Sequence, residues 1–175
     1  MSRENERAPW LVLAYRMPGE AVRLRMSVWR RLKAAGAVYL TNSVATLPAA
    51  PAAERLLRRL RSDISRAGGS AQLMRAGPLA GGADLIRRYN AARDDEYAQV
   101  IDGCDELLGS IGSWPAASRP SPADLAAGDR ELARLARLDG KVRARDVLGA
   151  RQADSAAAAL VKCGEAFDSA AGADE

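Results

Sequence analysis

The sequence predicts an α+β protein in which a small domain of order β-α-β-β-α-β precedes a mostly helical second half. Three observations predict it. Over residues 8–80, short apolar runs alternate with stretches of helical periodicity. Glycine and proline mark many of the boundaries between these segments. Over residues 83–169, apolar residues recur at helical spacing, interrupted by a break rich in proline and serine.

The first strand and the first helix are predicted within residues 10–36. Residues 10–15 form an apolar run that is short enough for a buried strand. Residues 20–35 form a helix, which Gly36 is placed to end in the left-handed conformation. The predicted buried stripe of this helix is a set of residues three or four positions apart: Met26, Trp29, Leu32 and Gly36. We expect Trp29 to anchor the helix in the core, with stacking on a base or a ligand as the alternative.

The remaining elements of the domain complete a second strand–helix–strand series. Residues 37–40 and 44–47 form two strands, and the turn residues between them indicate a hairpin. Residues 52–67 form a second helix, and residues 70–74 form the last strand. The predicted buried stripe of the second helix is a set of aliphatic residues: Leu56, Leu60 and Ile64, with Ala53, Leu57 and Ala67. This order predicts the ferredoxin-like fold, an antiparallel sheet with two helices on one face.

The second half is predicted to be a long helical hairpin. Residues 84–111 form its first helix, and residues 112–122 form a connector rich in proline and serine. Ser121 followed by Pro122 is typical of the start of a helix, because serine caps and proline fits the first helical position. A final helix follows over residues 154–169.

Two domains therefore follow from the pattern. Residues 8–80 form the ferredoxin-like domain, and residues 83–169 form a helical extension that we expect to pack on it. Residues 1–7 and 170–175 are expected to be flexible tails.

Composition excludes several kinds of chemistry. The chain has no histidine, which removes the commonest general base and the commonest transition-metal ligand. Cys104 and Cys163 are expected to be buried small hydrophobic residues, with a redox pair as the alternative. We predict no catalytic residue, no metal and no cofactor, which favours a protein that is not an enzyme. No apolar run spans a membrane and no signal peptide is evident, so a cytoplasmic protein is expected.

Positive charge is concentrated in the first domain. Residues 16–66 contain 11 basic and 3 acidic residues, whereas residues 84–110 are acidic. This asymmetry favours a polyanion partner, an oxyanion ligand or self-association between opposite patches. An ordinary solvated surface is the fourth interpretation. Phosphate contacts require several long cations along a surface, whereas an oxyanion requires converging guanidinium groups. The candidate residues for either role are Arg23, Arg30, Arg31, Lys33, Arg55, Arg58 and Arg59.

An acidic segment, residues 94–96, and a basic segment, residues 141–145, lie in the second half. Three consecutive helical carboxylates point about 100° apart, so they do not chelate one metal ion. An ion-pair or surface role is favoured for them. The basic segment either extends a nucleic-acid surface or clamps the acidic helix, and clamping is favoured.

Several ordered motifs carry a family resemblance. They are Trp10-Leu-Val-Leu, Arg25-Met-x-Val-Trp-Arg-x-Leu-Lys-x-x-Gly-Ala-Val, Leu47-Pro48, Arg93-Asp-Asp-Glu-Tyr-Ala and Lys141-Val-Arg-Ala-Arg-Asp-Val-Leu-Gly-Ala150. Over roughly residues 8–168, the sequence resembles the family of the N-terminal domain of the chromate-resistance regulator ChrB. The resemblance implies a cytoplasmic transcription regulator that responds to chromate and contacts DNA through this domain.

The leading hypothesis is therefore a DNA-binding regulator whose basic helices contact phosphates, and we expect a homodimer because sheets and long helices can pair. The alternatives are a module binding chromate or another oxyanion, an accessory biosynthetic enzyme on the same scaffold, and a helical partner for a C-terminal module encoded elsewhere. Residues expected to form internal ion pairs, or to bind a ligand, are Arg25, Arg93, Glu96, Tyr97, Arg143 and Arg145.

Overall fold

The protein is described by a computed structural model that covers residues 9–114 and 120–172. The chain divides into two compact units, Met1–Tyr89 and Asn90–Glu175. The predicted tail at residues 1–7 lies outside the described residues, as do the centre of the predicted connector, 115–119, and the final residues 173–175.

The described part of the first unit contains four strands and two complete helices. In chain order they are β1 (Trp10–Arg16), α1 (Val22–Ala34), β2 (Val38–Thr41), β3 (Val44–Pro48), α2 (Pro51–Arg66) and β4 (Ser70–Ala76). The next helix, α3 (Gly82–Gly112), begins in the first unit and continues into the second. The second unit also contains α4 (Pro122–Arg143) and α5 (Ala153–Ala171). The prediction of an α+β protein is confirmed.

The four strands form one antiparallel sheet in the order β2-β3-β1-β4. Its register places Leu13 of β1 opposite Ala45 of β3 and Leu73 of β4. The β2–β3 pairing shifts between Tyr39 and Thr41, next to the predicted hairpin turn. Strands β2 and β4 are the two edges of the sheet within the described residues.

Both α1 and α2 pack on one face of this sheet. That face contributes Leu11 and Leu13 of β1 with Ala45 and Leu47 of β3 to the core. The helices contribute their fully buried aliphatic residues: Val28, Leu32, Leu57, Leu60 and Ile64. Burying each such side chain stabilises the fold by roughly 1.5–3 kcal/mol, so this layer is the main source of stability in the unit.

The other face of the sheet carries Trp10, which is 2% exposed and meets the ring of Tyr89 edge-on at a centroid distance of 5.8 Å. Thr46 is also buried on this face, and its hydroxyl donates to the carbonyl of Leu11 at 3.0 Å. The start of α3 therefore covers part of the second face.

The prediction for the buried stripe of α1 is wrong at two positions. Met26 is 49% exposed and Trp29 is 42% exposed, while Val28 and Leu32 are fully buried. Successive residues of a helix point about 100° apart, so burying Val28 turns Trp29 away from the sheet. Trp29 is therefore a surface residue and does not anchor the core.

Two glycines after these helices have conformational or steric roles. Gly36 follows α1 with φ 81°, the left-handed conformation that the sequence predicts for it. Gly69 lies between α2 and β4, where a Cβ atom would be 2.7 Å from the carbonyl oxygen of Arg16. Only glycine allows this close approach of two backbone segments.

The helices of the second unit enclose a separate core. Its buried residues include Tyr97, Val100, Cys104, Leu135 and Cys163. The hydroxyl of the predicted capping residue at the start of α4, residue 121, accepts a hydrogen bond from the backbone N–H of residue 124 at 3.2 Å, which confirms that cap. The last helix continues to residue 171, slightly beyond the predicted end. Within the described ranges, no helix has the length and apolar character that a membrane crossing requires.

Candidate functional site

The basic face of the first unit is partly neutralised by its own carboxylates. Nη1 of Arg31 lies 2.7 Å from Oδ2 of Asp63, so this predicted contact residue links α1 to α2. Arg66 pairs with the other oxygen of Asp63. The hydrogen bond from Arg31, followed by the one from Arg66, lowers the pKa of Asp63.

A second carboxylate engages a further predicted residue. Glu54 accepts Nη2 of Arg58 at 2.7 Å and Nη2 of Arg75 at 3.0 Å. These interactions lower the pKa of Glu54, with the hydrogen bond from Arg58 as the largest cause. Arg31 and Arg58 therefore form ion pairs within the unit, although both side chains remain partly exposed to solvent.

Five of the predicted cations have no such partner. Within residues 9–114 and 120–172, no carboxylate lies within 4.0 Å of their charged groups, and all five are exposed: Arg23, Arg30, Lys33, Arg55 and Arg59. Three of them are on α1. The structure thus leaves α1 with the larger share of uncompensated positive charge.

Trp29 lies on this part of α1. The amino group of Lys33 is 5.2 Å from the centroid of its ring, within the range of a cation–π interaction. Val22 and Met26 are exposed on the same side of the helix, at 57% and 49%. At 100° per residue, Arg23 and Arg30 share a neighbouring face of the helix. The result is an apolar strip that ends in an indole and is bordered by cations.

Arg25 does not have the internal position expected of it. It is exposed, and its Nη2 donates to the carbonyl oxygen of Pro18 at 3.1 Å. This bond ties α1 to the loop that follows β1.

The second unit gathers the other residues expected to form internal ion pairs. Arg93 is 2% exposed, and its Nη2 lies 3.2 Å from Oε1 of Glu96. The second oxygen of Glu96 accepts Nη2 of Arg145 at 2.7 Å. One carboxylate thus bridges a buried guanidinium on α3 and a guanidinium in the turn after α4.

Tyr97 and Arg143 lie beside this bridge. The hydroxyl of Tyr97 is 3.2 Å from Oδ2 of Asp146, and burial, followed by the charge of Asp146, raises the pKa of Tyr97 to about 12. Arg143 lies over the Tyr97 ring at 5.9 Å and pairs with Asp139 at 2.6 Å. The Arg143 guanidinium also donates to the carbonyl oxygen of Ala153 at 2.7 Å.

Sequence reasoning did not identify the role of the aspartates in this cluster. Asp146 accepts the backbone N–H groups of Gly149 and Ala150 at 3.0 Å, which shapes the turn between α4 and α5. Asp94 accepts the N–H of Gln152 at 2.9 Å, just before α5 begins. The four-residue spacing of Asp139 and Arg143 was an available signal, since such pairs face each other on a helix.

The cluster as a whole fastens the α4–α5 turn to α3. Two carboxylates and a hydroxyl on α3 have their partners in or next to the turn: Glu96 pairs with Arg145, Asp94 accepts the N–H of Gln152, and Tyr97 donates to Asp146. This arrangement accounts for the many polar side chains in the two motif segments that begin at Arg93 and at Lys141. Binding of a ligand by the same residues stays a prediction.

The two cysteines lie together in the core of this unit. Both are fully buried, and Sγ of Cys163 is 3.7 Å from the carbonyl oxygen of Cys104. Burial raises the pKa of Cys104 to about 11 and also raises that of Cys163. Thiols in this state are poor nucleophiles at neutral pH. In the described residues, no group of three side chains of His, Cys, Asp or Glu is arranged to hold a metal ion.

The fold and these sites define a basic α+β unit followed by a helical unit with a partly buried ion-pair cluster. The model of the family described as "Protein ChrB, N-terminal" matches residues 25–173 of the chain. The chain belongs to this family, which associates it with chromate resistance. No curated protein and no solved structure matches the chain.

Proposed function

We propose that this chain is a nucleic-acid-binding protein, a cytoplasmic regulator of the ChrB type without catalytic activity, and that α1 is its contact surface. One observation supports this more than any other. Trp29 is a large aromatic residue, 42% exposed, beside cations that no carboxylate neutralises within the described residues. The antiparallel order β2-β3-β1-β4 with two helices on one face supports a ferredoxin-like assignment for the unit.

The physical argument combines charge with stacking. Cations along a surface contact successive phosphates and release counterions, which gives affinity that falls with salt. An exposed indole stacks on a base with little dependence on sequence, contributing about 1–3 kcal/mol per base. Lys33 beside the Trp29 ring would lie next to the phosphate of the stacked nucleotide. Single-stranded or locally opened DNA fits this combination, because its bases are accessible.

The experiment is a salt-titrated binding assay with the full chain and fluorescent single-stranded and double-stranded DNA of random sequence. The variant Arg23→Gln/Arg30→Gln/Lys33→Gln removes three cations that have no carboxylate partner in the described parts of the chain. Each lost phosphate contact changes the slope of log K against log salt by roughly 0.7 for single strands and 0.9 for duplex. For three lost contacts we expect a slope smaller by about two units with single strands and by nearly three with duplex.

Two comparisons separate charge from stacking. Trp29→Ala should weaken binding by roughly 5- to 100-fold with an almost unchanged salt slope, whereas Trp29→Phe should retain most of the affinity. Arg130→Gln/Arg137→Gln, which removes exposed cations from α4, is the control and should change neither quantity. If the slope of the triple variant equals that of the wild type, the assignment of α1 is wrong.

Chromate as effector and a homodimer are further parts of the proposal; the family supports the first, and the sheet edge at β2 offers a surface for the second. An oxyanion module is less well supported. Where two guanidiniums converge in the described residues, a carboxylate already lies between them: Asp63, Glu54 or Glu96. Calorimetry with chromate and sulfate tests it, since that module requires saturable anion binding that survives loss of Arg58 and Arg59 but not of Arg30.

A further inference from the structure

The outer edge of β4 carries backbone groups that the sheet does not use. The backbone N–H of Tyr15 donates to the carbonyl oxygen of Ser43, which lies on the β3 side of β1. Because the backbone N–H and carbonyl groups of alternate residues in a strand point to the same side, those of Leu13 and Leu11 also point towards β3. Residues directly opposite each other in an antiparallel pair point either both inwards or both outwards. The partners of these three residues on β4 therefore point away from the sheet: Ala71, Leu73 and Arg75.

One contact agrees with this orientation. Nε of Arg61, on α2, donates to the carbonyl oxygen of Ala71 at 3.3 Å. The N–H and carbonyl groups of Leu73 and Arg75 have no hydrogen-bond partner in the described parts of the chain. The strand is seven residues long, and its only sheet neighbour among those residues is β1. An exposed edge of this length can pair with a further strand.

A groove of about 540 Å³ runs along this edge, between β4 and α2. Its apolar lining includes Leu73 and Leu11. Its charged lining consists of Arg58, Arg61 and Arg75 against the single acid Glu54, an excess of two positive charges. A strand added to β4 would place alternate side chains in this groove, facing α2.

We propose that this edge, here called the β4 groove, binds an extended acidic segment of a partner protein by strand addition. Main-chain hydrogen bonds to Leu73 and Arg75 would give the affinity, and carboxylates facing the three arginines would give the preference for an acidic sequence. Pairing with a second copy is disfavoured by charge. An antiparallel β4–β4 contact centred on Leu73 places Arg75 of each copy opposite Ala71 and Arg61 of the other.

The test uses a fluorescent seven-residue peptide of alternating Glu and Val with blocked ends, titrated into the full chain. We expect saturable binding, a change in the amide resonances of Leu73 and Arg75, and slower hydrogen exchange at both amides. The matched peptide with Lys in place of Glu should not bind. The same acidic peptide with alternate amides N-methylated should also fail to bind, because it cannot form the ladder of hydrogen bonds.

Variants separate the backbone from the charges. Arg75→Gln keeps the outward N–H and should weaken binding roughly two- to fivefold, the effect of one exposed ion pair. Arg75→Pro removes the N–H and should abolish binding. Arg61→Gln should weaken binding to the same extent as Arg75→Gln. Arg59→Gln, a neighbouring arginine that does not line the groove, should have no effect.

The N-methylated peptide keeps the test decisive even where Arg75→Pro impairs folding, since it leaves the protein unchanged. Equal binding of the acidic and the lysine peptides would overturn the charge argument. Equal binding of the methylated peptide, or no saturable binding of the acidic one, would overturn strand addition. Self-association that Arg75→Pro abolishes would identify a second copy as the occupant and would also overturn the proposal.

Discussion

Replacing Glu96 by Gln tests the ion-pair cluster of the second unit. The change keeps the shape of the side chain and removes the charge that lies between two guanidiniums, at 3.2 Å from Arg93 and 2.7 Å from Arg145. The Arg93 side chain is 3% exposed, so water does not readily replace the lost carboxylate. We expect the free energy of unfolding to fall and the folded structure to persist.

The size of the loss in unfolding free energy follows from how exposed the side chains of Arg93, Glu96 and Arg145 are. Breaking a fully buried pair costs about 3–5 kcal/mol, and a hydrogen bond to a charged group contributes about 1.5–3 kcal/mol. The side chains of Glu96 and Arg145 are 23% and 19% exposed, which places this case at the lower end. We therefore expect a loss of about 2–3 kcal/mol and a fall in Tm of roughly 4–12 °C for a chain of this size.

The assay is urea unfolding followed by circular dichroism, with Glu131→Gln as the control. Glu131 also forms an ion pair, with Arg134 at 2.6 Å, but the side chains are 37% and 54% exposed. Exposed pairs contribute about 0–1 kcal/mol, so the control should be nearly neutral. Equal losses in the two variants would refute the reasoning, because they would show that burial of Arg93 does not depend on Glu96.

Two further predictions concern other parts of the fold. Gly69→Ala should destabilise the first unit by about 1–3 kcal/mol in the same assay, because its Cβ would lie 2.7 Å from the carbonyl oxygen of Arg16, whereas Gly77→Ala, with nothing within 4 Å, should be neutral. The raised pKa of Tyr97, about 12 against an ordinary 10.0, favours the neutral phenol in the folded state. That contribution is present below pH 10 and is lost as the pH rises towards about 12, so the stability difference between wild type and Tyr97→Phe should shrink over that interval. A difference that stays constant would contradict the coupling.

Sequence reasoning predicted the elements whose local chemistry is decisive. Gly36 ends α1 because a left-handed residue is needed there, and residue 121 caps α4 because its hydroxyl satisfies a free N–H. The hairpin between β2 and β3 follows from its turn residues. These features depend on neighbours within a few positions, which a sequence displays directly.

The orientation of α1 could not be predicted in the same way. Its sequence contains two overlapping apolar stripes, one through Val28 and Leu32 and another through Met26 and Trp29. Periodicity alone does not choose between them, since both have helical spacing. The sheet decides, because the helix buries the aliphatic stripe against Leu11 and Leu13.

The sequence predicted the ion-pair cluster only in part. The sequence suggested that the acidic and basic segments of the second half interact. The particular pairs, such as Glu96 with Arg145, join positions 49 residues apart. Their choice depends on how α3 meets the α4–α5 turn, and no local rule specifies that geometry.

The exposure of Trp29 gives the protein an intrinsic optical reporter. Trp10 is shielded from water at 2% exposure, and Trp114 is partly covered and meets the ring of Phe167 at 6.2 Å. An ionic quencher dissolved in the medium therefore reaches the indole of α1 more readily than that of Trp10. The fluorescence emission of Trp29 is therefore sensitive to a ligand that covers α1, so binding at this helix can be followed in the unlabelled wild-type chain.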